Sequence, residues 1–555
     1  MNSFNLNQMK FLIESQNPVS QFIQITLYIP VRHLSQVRLQ LPAWRAGRYQ
    51  LANYVQNIRS LQVTSPNGET IPSSKLTKDL WEFSPDHVGE YQVHYEYYCA
   101  KMDAGSCWVD DEQLYLNFVN CCFEVENHVE EKIIVEINHP QHFQSCTTLH
   151  FENNAYYATN FQQLADSSFL AADNLTHESF ELEATTFHLW FNGQVNFDLP
   201  EFKTNIQEFA AKQIEAFGEF PVETYHFIYQ LLPYAHYHGV EHQRGTVITF
   251  GPAASLSERK HLNELMGVSC HELYHAWNVC QIRPIEIMPY DFSKEAYHQA
   301  GWMVEGVTTY MGDIFLLRSG YFLLEEYLKL FEKLLNRESV NFGWKNQSIL
   351  ESSFDLWIDG YVAGIPDKKV SIYTHGALIA FCLDSMLLNE NSSLHHVMKI
   401  LWKRFGKPKV GYTMEEVWEV VLSQTDHAVY FNQFYEDYIA GKEDIFPLVE
   451  KHLGSLGFDL NPKSKGDRLA SEFGIIKSEE GNVSKIHPES EAYTKLQIGD
   501  VIQKHDLSES NLKLSLDRFG RKIEFILPIS SELLFKDYQI IDKKSTTKRV
   551  AWIGS

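Results

Sequence analysis

The eight cysteines of this chain stand at 99, 107, 121, 122, 146, 270, 280 and 382, without the paired spacing of a zinc ribbon or a disulfide scaffold. Reduced, mostly buried thiols follow. Positive charge is scarce: 47 basic residues face 71 acidic ones, and a net charge of -24 repels phosphate backbones, so nucleic acid is excluded as a partner. Most of that acidity reads as solvated surface. No stretch approaches 18 consecutive apolar residues, which excludes a membrane span. The first 18 residues, MNSFNLNQMKFLIESQNP, lack a basic segment followed by an apolar core, so no leader is read and a cytoplasmic protein is expected. Internal repeats and low-complexity tracts are also missing. What remains is a globular composition, 44% hydrophobic and 21% charged, in 555 residues, too many for a single core.

Three units are expected, making a multidomain α+β protein. Residues 1–195 run in short stretches rich in Val, Ile, Tyr and Phe, such as 22–29 and 91–98, separated by turn clusters like Ser65-Pro-Asn-Gly68. Their alternation predicts an antiparallel β-sandwich. Across 196–455 apolar residues recur at three- and four-residue spacing, in 204–217, 257–279 and 321–335, which predicts a mainly helical unit. Ser255 and Glu258 stand in a capping-box relation before the second of these segments. Residues 456–555 return to short strand-like runs, clearest at 483–492 and 496–502.

The chemistry lies in His271-Glu-Leu-Tyr-His275. Residues four apart on a helix share a face, so both imidazoles can reach one ion, here expected to be a single Zn2+. Glu272 lies about 100° around the helix from His271 and about 60° from His275, close enough to take a proton from water at the metal without ligating it. Such a pattern arises by chance roughly 0.06 times in a chain of this composition, so the motif needs a third ligand. Glu305 supplies one: it is the single carboxylate of the apolar run Trp302-Met-Val-Glu-Gly-Val-Thr-Thr-Tyr310, where a divalent cation would offset its burial. A surface position for Glu305, a pair with Arg283, or His298 as the ligand are the alternatives.

Together, residues 271–279, Ile282-Arg-Pro284 and Trp302-x-x-Glu-Gly-x-Thr-x-Tyr310 resemble the glycyl aminopeptidase family of zinc metallopeptidases, thermolysin-like enzymes with an N-terminal β domain and a C-terminal PDZ-like domain. Leu41-Pro-Ala-Trp-Arg-Ala-Gly-Arg-Tyr49, Tyr237-His-Gly-Val-Glu-His242 and Ser371-Ile-Tyr-Thr-His-Gly-Ala-Leu378 extend the likeness over nearly the whole chain. The resemblance implies that Glu241 binds the substrate's free amine, that Tyr373 donates to the oxyanion, and that Gly239 lets the strand approach the peptide, with His242 beside them. His242 and Asn278 can equally act as supports of the site, while Trp277 and Trp302 read as core. His238 and His375 stand where the family carries Gly and Lys, and the bulk of His238 is expected to reshape the pocket for the first substrate residue. Phe473-Gly-Ile475 and Leu496-x-x-Gly-Asp500 look like a PDZ fold, implying peptide binding or intramolecular docking.

The expected function is a zinc aminopeptidase that removes small, Gly- or Ala-like residues from peptides with a free N-terminus by general-base attack of a water at the metal. A zinc endopeptidase with an open cleft is the nearest alternative, and a PDZ-bearing peptide-binding scaffold with a structural metal the more distant one.

Overall fold

A computed structural model describes residues 8–152, 155–361 and 364–554. Residues 1–7 and Ser555, the outer ends of the first and third expected units, lie outside the described residues. The alternating stretches form strands as their pattern dictates. Met9–Asn17 (β1), Phe22–Val31 (β2) and Gly89–Tyr98 (β3) are the centre of an eight-stranded sheet, with Ile23, Ile25, Leu27 and Ile29 fully buried on one face of β2. Two four-stranded sheets accompany it, one holding Gln113–Asn117 (β4) and Ser168–Ala172 (β5). The pairing is not purely antiparallel, because β1 runs parallel to Ile133–Asn138. This is an N-terminal β-rich domain followed by a helical middle region.

Strands Leu175–Leu182 (β6) and Thr185–Asn192 (β7) lie within the first expected unit by sequence, yet they join Thr224–Leu231 (β8), His236–His242 (β9) and Gly245–Gly251 (β10) in one sheet of order β6-β7-β8-β10-β9. β9 is thereby an edge strand, antiparallel to β10, with one side free to pair.

The helices begin and end where local chemistry says they should. Leu199–Phe217 (α1) starts at Asp198, whose carboxylate accepts from the Glu201 N–H, and stops at Gly218 in the left-handed region at φ 96°. Arg259–Tyr274 (α2) is the metal-motif helix. It differs from expectation at both ends: Ser255 turns its hydroxyl onto the Pro252 carbonyl, so no capping box forms, and the chain leaves the helix after Tyr274 in a series of turns. Trp302–Gly306 is a π-helical turn that leads into Val307–Arg318 (α3), a helix laid against α2 where Gly312 faces the His271 backbone. Leu324–Glu338 (α4) and Thr374–Asn389 (α5) complete the scaffold of the site. The first turn of α5 rests on the π turn at Gly306 and Gly376, where a Cβ on Gly306 would lie 2.5 Å from Gly376 backbone.

The C-terminal region has a small core of its own, including Phe473, Ile475, Val483, Leu514 and Leu527. Phe458–Ser464 (β11) and Lys536–Asp542 (β12) pair antiparallel and pack with the large core, as does the final helix Thr547–Gly554 (α6) through the buried Trp552. The tail from 536 to 554 therefore docks rather than trails. Among the described residues, no helix is long and apolar enough to cross a membrane.

Candidate metal centre and its cleft

His271 and His275 project from one face of α2 with their Nε2 atoms 3.1 Å apart, and Glu305 Oε2 from the π turn stands 3.6 and 3.4 Å from them. All three ligand atoms lie within 4.8 Å of one another, and among the described residues this is the one His, Cys, Asp or Glu group so arranged. Nitrogens bound at roughly 2.1 Å to a tetrahedral zinc would sit about 3.3 Å apart, so the set fits the ion with little movement. The three groups also shift one another's ionisation. Burial alone would depress His275, but the Glu305 carboxylate overcomes it and lifts the imidazole to about 10. Burial would raise Glu305, and the two imidazoles instead hold it down at about 2. Burial keeps His271 below its ordinary value. A divalent cation satisfies all three groups at once.

Ring orientation is fixed from behind. His275 Nδ1 donates to the Asn278 carbonyl, leaving Nε2 to face the ion, while the Asn278 side chain donates to the Met303 carbonyl at 2.8 Å and to Thr308 Oγ1 at 3.1 Å. Asn278 thus ties the end of the histidine segment to the turn that bears Glu305. Arg283 does not pair with Glu305; it donates to the Cys280 carbonyl and stacks on Tyr290. His298 accepts from the Ala300 N–H and meets Tyr49 edge-on, outside the ligand group. Trp277 stacks on Phe217 and Trp302 is fully buried, both in the core.

Glu272 is 5% exposed, and Oε2 has no hydrogen-bond partner among the described residues. Burial pushes its carboxyl up to about 8, opposed by His275 and reinforced by Glu241 and Glu305. Gly239 on β9 lies directly over it: a Cβ there would overlap Glu272 Oε1. Strand alternation places Tyr237, Gly239 and Glu241 on this same face. Glu241 is 7% exposed with Oε1 unpartnered among the described residues, and its carboxylate is pressed against Gly47 of the N-terminal domain. Gly47 has φ 72°, and a Cβ at that position would overlap both Glu241 oxygens, so glycine is required on both counts.

Tyr373 immediately precedes α5. Burial, then the Glu305 charge, raise its hydroxyl well above the ordinary range, so it stays a proton donor. Tyr361 and Tyr49 stand with it, and the Tyr49 N–H donates to the Tyr361 hydroxyl at 3.2 Å. Neither Gly47 nor these two tyrosines was picked out as a site residue in the sequence, although Gly47 and Tyr49 lie inside Arg45-Ala-Gly-Arg-Tyr49.

His238 and His242 are not brought to the cleft. They occupy the other face of β9, where His238 Nδ1 bonds Asp103 Oδ1 at 2.8 Å and Nε2 lies 3.3 Å from Arg45 Nη2, and His242 Nδ1 faces Asp166 at 3.7 Å. The expectation that His238 narrows the substrate pocket is corrected by the pleat of the strand, and His242 likewise joins the sheet to the N-terminal domain. His375 is buried against Glu338.

Two sequence models match the chain: the peptidase M61 N-terminal domain over residues 10–173 and the M61 glycyl aminopeptidase over 264–379, together half of its length. No curated protein matches. Among solved structures, an aminopeptidase N family protein from Idiomarina loihiensis is similar at 23% identity and a TM-score of 0.89, covering 98% of this chain and 100% of that one, which shows a shared fold. An M1 zinc metallopeptidase variant from Deinococcus radiodurans, bound to Tyr-Ser-Ala, aligns at 16% identity over 79% of this chain and 94% of its own, with a TM-score of 0.48.

Proposed function

We propose that this chain, which belongs to the M61 glycyl aminopeptidase family and is a zinc metallopeptidase, releases the first residue of peptides at one zinc ion held by His271, His275 and Glu305. Zinc bound there would act as a Lewis acid, bringing the pKa of a water to about 7 and polarising the scissile carbonyl. Glu272, whose Oε2 has no hydrogen-bond partner among the described residues, takes the water's proton and delivers it to the departing amine. The Tyr373 hydroxyl donates to the oxyanion. Gly239 leaves the edge backbone bare, so the substrate adds to β9 as a further strand. Glu241 holds the free ammonium through a charge-assisted hydrogen bond. His242 takes no part in substrate contact.

One observation carries the choice of aminopeptidase over endopeptidase: the buried Glu241 carboxylate, its Oε1 unpartnered among the described residues and backed by Gly47. Gly47 stands against the Glu241 carboxylate, which on this reading closes the groove to chain preceding an amine. The family's description, and the crowding of this end by Tyr49, Tyr361 and Tyr373, support a small, Gly- or Ala-like first residue. Peptides compared free and N-acetylated test the reading. Blocked substrates should lose nearly all turnover, and equal cleavage of both would favour an endopeptidase.

The three-unit division stands in this reading with the first boundary moved to about residue 174, since β6 and β7 belong to the sheet of the catalytic unit. The C-terminal unit from about 456 is read as PDZ-like. Lys485 donates to the Val340 carbonyl, and His487 and Phe535 pack on Phe342, which favours docking to the catalytic unit over capture of free peptides. Eight unpaired, buried cysteines suit a reducing compartment such as the cytoplasm.

A further inference from the structure

Among the deeply buried carboxylates that the chemistry above leaves unused, one lies beside the oxyanion donor. Glu338, the last residue of α4, is 2% exposed, and both of its oxygens are engaged. Oε2 accepts from Thr374 Oγ1 at 2.7 Å, and Oε1 lies 2.9 Å from His375 Nδ1. These partners are the two residues that follow Tyr373. The next residue, Gly376, is locked against Gly306 of the π turn, and the Tyr361 hydroxyl adjoins Tyr373 from the other side. The backbone that aims the Tyr373 phenol is therefore held by the Glu338 carboxyl group through Thr374 and His375 and by the ligand-bearing turn through Gly376.

The chain just beyond Glu338 is gripped in turn by the C-terminal unit. Ser339 Oγ donates to the Lys536 carbonyl at 3.1 Å, Lys485 Nζ donates to the Val340 carbonyl, and the Phe342 ring meets His487 at 4.5 Å and Phe535 at 6.0 Å. Asn336, one half-turn earlier on α4, donates to the Tyr538 carbonyl at 3.1 Å. The segment 336–342 is thus shared between the two units, and Glu338 sits in its middle.

We propose that Glu338 is a positioning residue that holds the Tyr373 hydroxyl on the oxyanion, and that the C-terminal unit acts as a buttress for that residue, coupling its own docking to turnover. This rests on the reading of Tyr373 as the oxyanion donor. A donor aimed at developing charge loses its worth quickly when displaced, an ångström being enough to cost about a hundredfold in rate. A carboxylate that only filled space would have no such leverage.

A double-mutant cycle in the full-length zinc enzyme tests this. Tyr373→Phe should lower kcat by about 100-fold or more. Glu338→Gln keeps the volume but turns one of the two acceptors into a donor, so that Thr374 and His375 can no longer both be held, and should lower kcat about tenfold with KM nearly unchanged. In the Tyr373→Phe background the same Glu338→Gln change should then cost less than about twofold, because the donor it aims is gone. Equal losses in both backgrounds, or a loss in KM alone, would overturn the proposal. Should Tyr373→Phe leave kcat intact, the oxyanion reading fails and the proposal with it, a result distinct from additivity. Lys485→Met carries the same comparison if Glu338→Gln does not fold: a kcat loss of about threefold that disappears in the Tyr373→Phe background supports the buttress, and an equal loss in both refutes it.

Discussion

The two faces of strand β9 are built from neighbouring residues and face different surroundings. On the cleft face, Gly239 and Glu241 border carboxylates that are buried with an oxygen unpartnered among the described residues, Glu272 and Glu241 themselves. On the far face, His238 is bonded to Asp103 and Arg45, and His242 faces Asp166. Burying a polar atom without a partner costs stability. On the proposed reading the cleft face sustains that cost because substrate and metal complete its carboxylates; the far face fastens the sheet to the N-terminal domain by pairing His238 with Asp103, while His236 Nε2 and His242 Nε2 are without a hydrogen-bond partner among the described residues. A single strand therefore separates chemistry from assembly by the pleat alone.

Substitutions that respect this division should sort by magnitude. Glu272→Gln should have the largest effect, removing general-base function at a cost of about 100- to 10,000-fold in kcat while zinc content by metal analysis stays that of the parent. Full activity in that variant would remove Glu272 from the mechanism. Gly239→Ala puts a methyl where the Glu272 carboxylate lies and should cost about 100-fold in kcat with unchanged folding by circular dichroism. A near-normal rate would mean that Glu272 can work from a shifted position. Glu241→Gln should act on binding, raising KM for free peptides by about 10- to 100-fold. If KM is unmoved, the amine is held elsewhere.

The smallest catalytic effect belongs to the far face. His238→Ala should leave kcat within about twofold and lower thermal stability, since it removes the partner of Asp103. A large kcat change would break the division between the faces. Acidity probes the same face. Burial lowers the folded-state pKa of His238, so the unfolded chain takes up its proton first and stability falls once pH drops below about 6.5. Burial would raise Asp103, but His238 depresses it further than burial lifts it; its contribution is present above about pH 3.9 and is lost as pH falls through the lower folded value. The parent's melting temperature should decline from pH 7 towards 4 in scanning calorimetry, and the decline should be shallower in His238→Ala. Parallel curves would show that the other buried histidines, His226 among them, govern the acid response.

The metal motif was legible in the sequence because its information is local: four-residue helical spacing set His271 beside His275, and one carboxylate in an apolar run marked Glu305. The β-rich beginning and helical middle were legible for the same reason, through periods of two and of about 3.6. What escaped came from distant segments meeting in space. Gly47, Tyr49, Tyr361 and Glu338 carry no spacing relative to residue 271, and nothing in their neighbours announces where a loop will land. Local reading also failed where two bonding options compete, as at Ser255, whose hydroxyl chose a carbonyl over the helix end. Motif likeness misled in one further way: it treated residues 238 to 242 as a block, although alternate residues of a strand face opposite ways.

Gly47 gives the enzyme a division of labour across its synthesis. Gly47, the wall in that reading, is translated 194 residues before Glu241, the carboxylate it backs, and 224 before His271. A fragment lacking the first domain could keep the zinc ligands but would have an open-ended groove, while a fragment that stops early would have the wall and no ion. If the proposed role of Glu241 holds, selectivity for chain ends is a property of the assembled pair of units, and a shift from exopeptidase to endopeptidase products would report that the two had come apart before any loss of metal or helix content was visible.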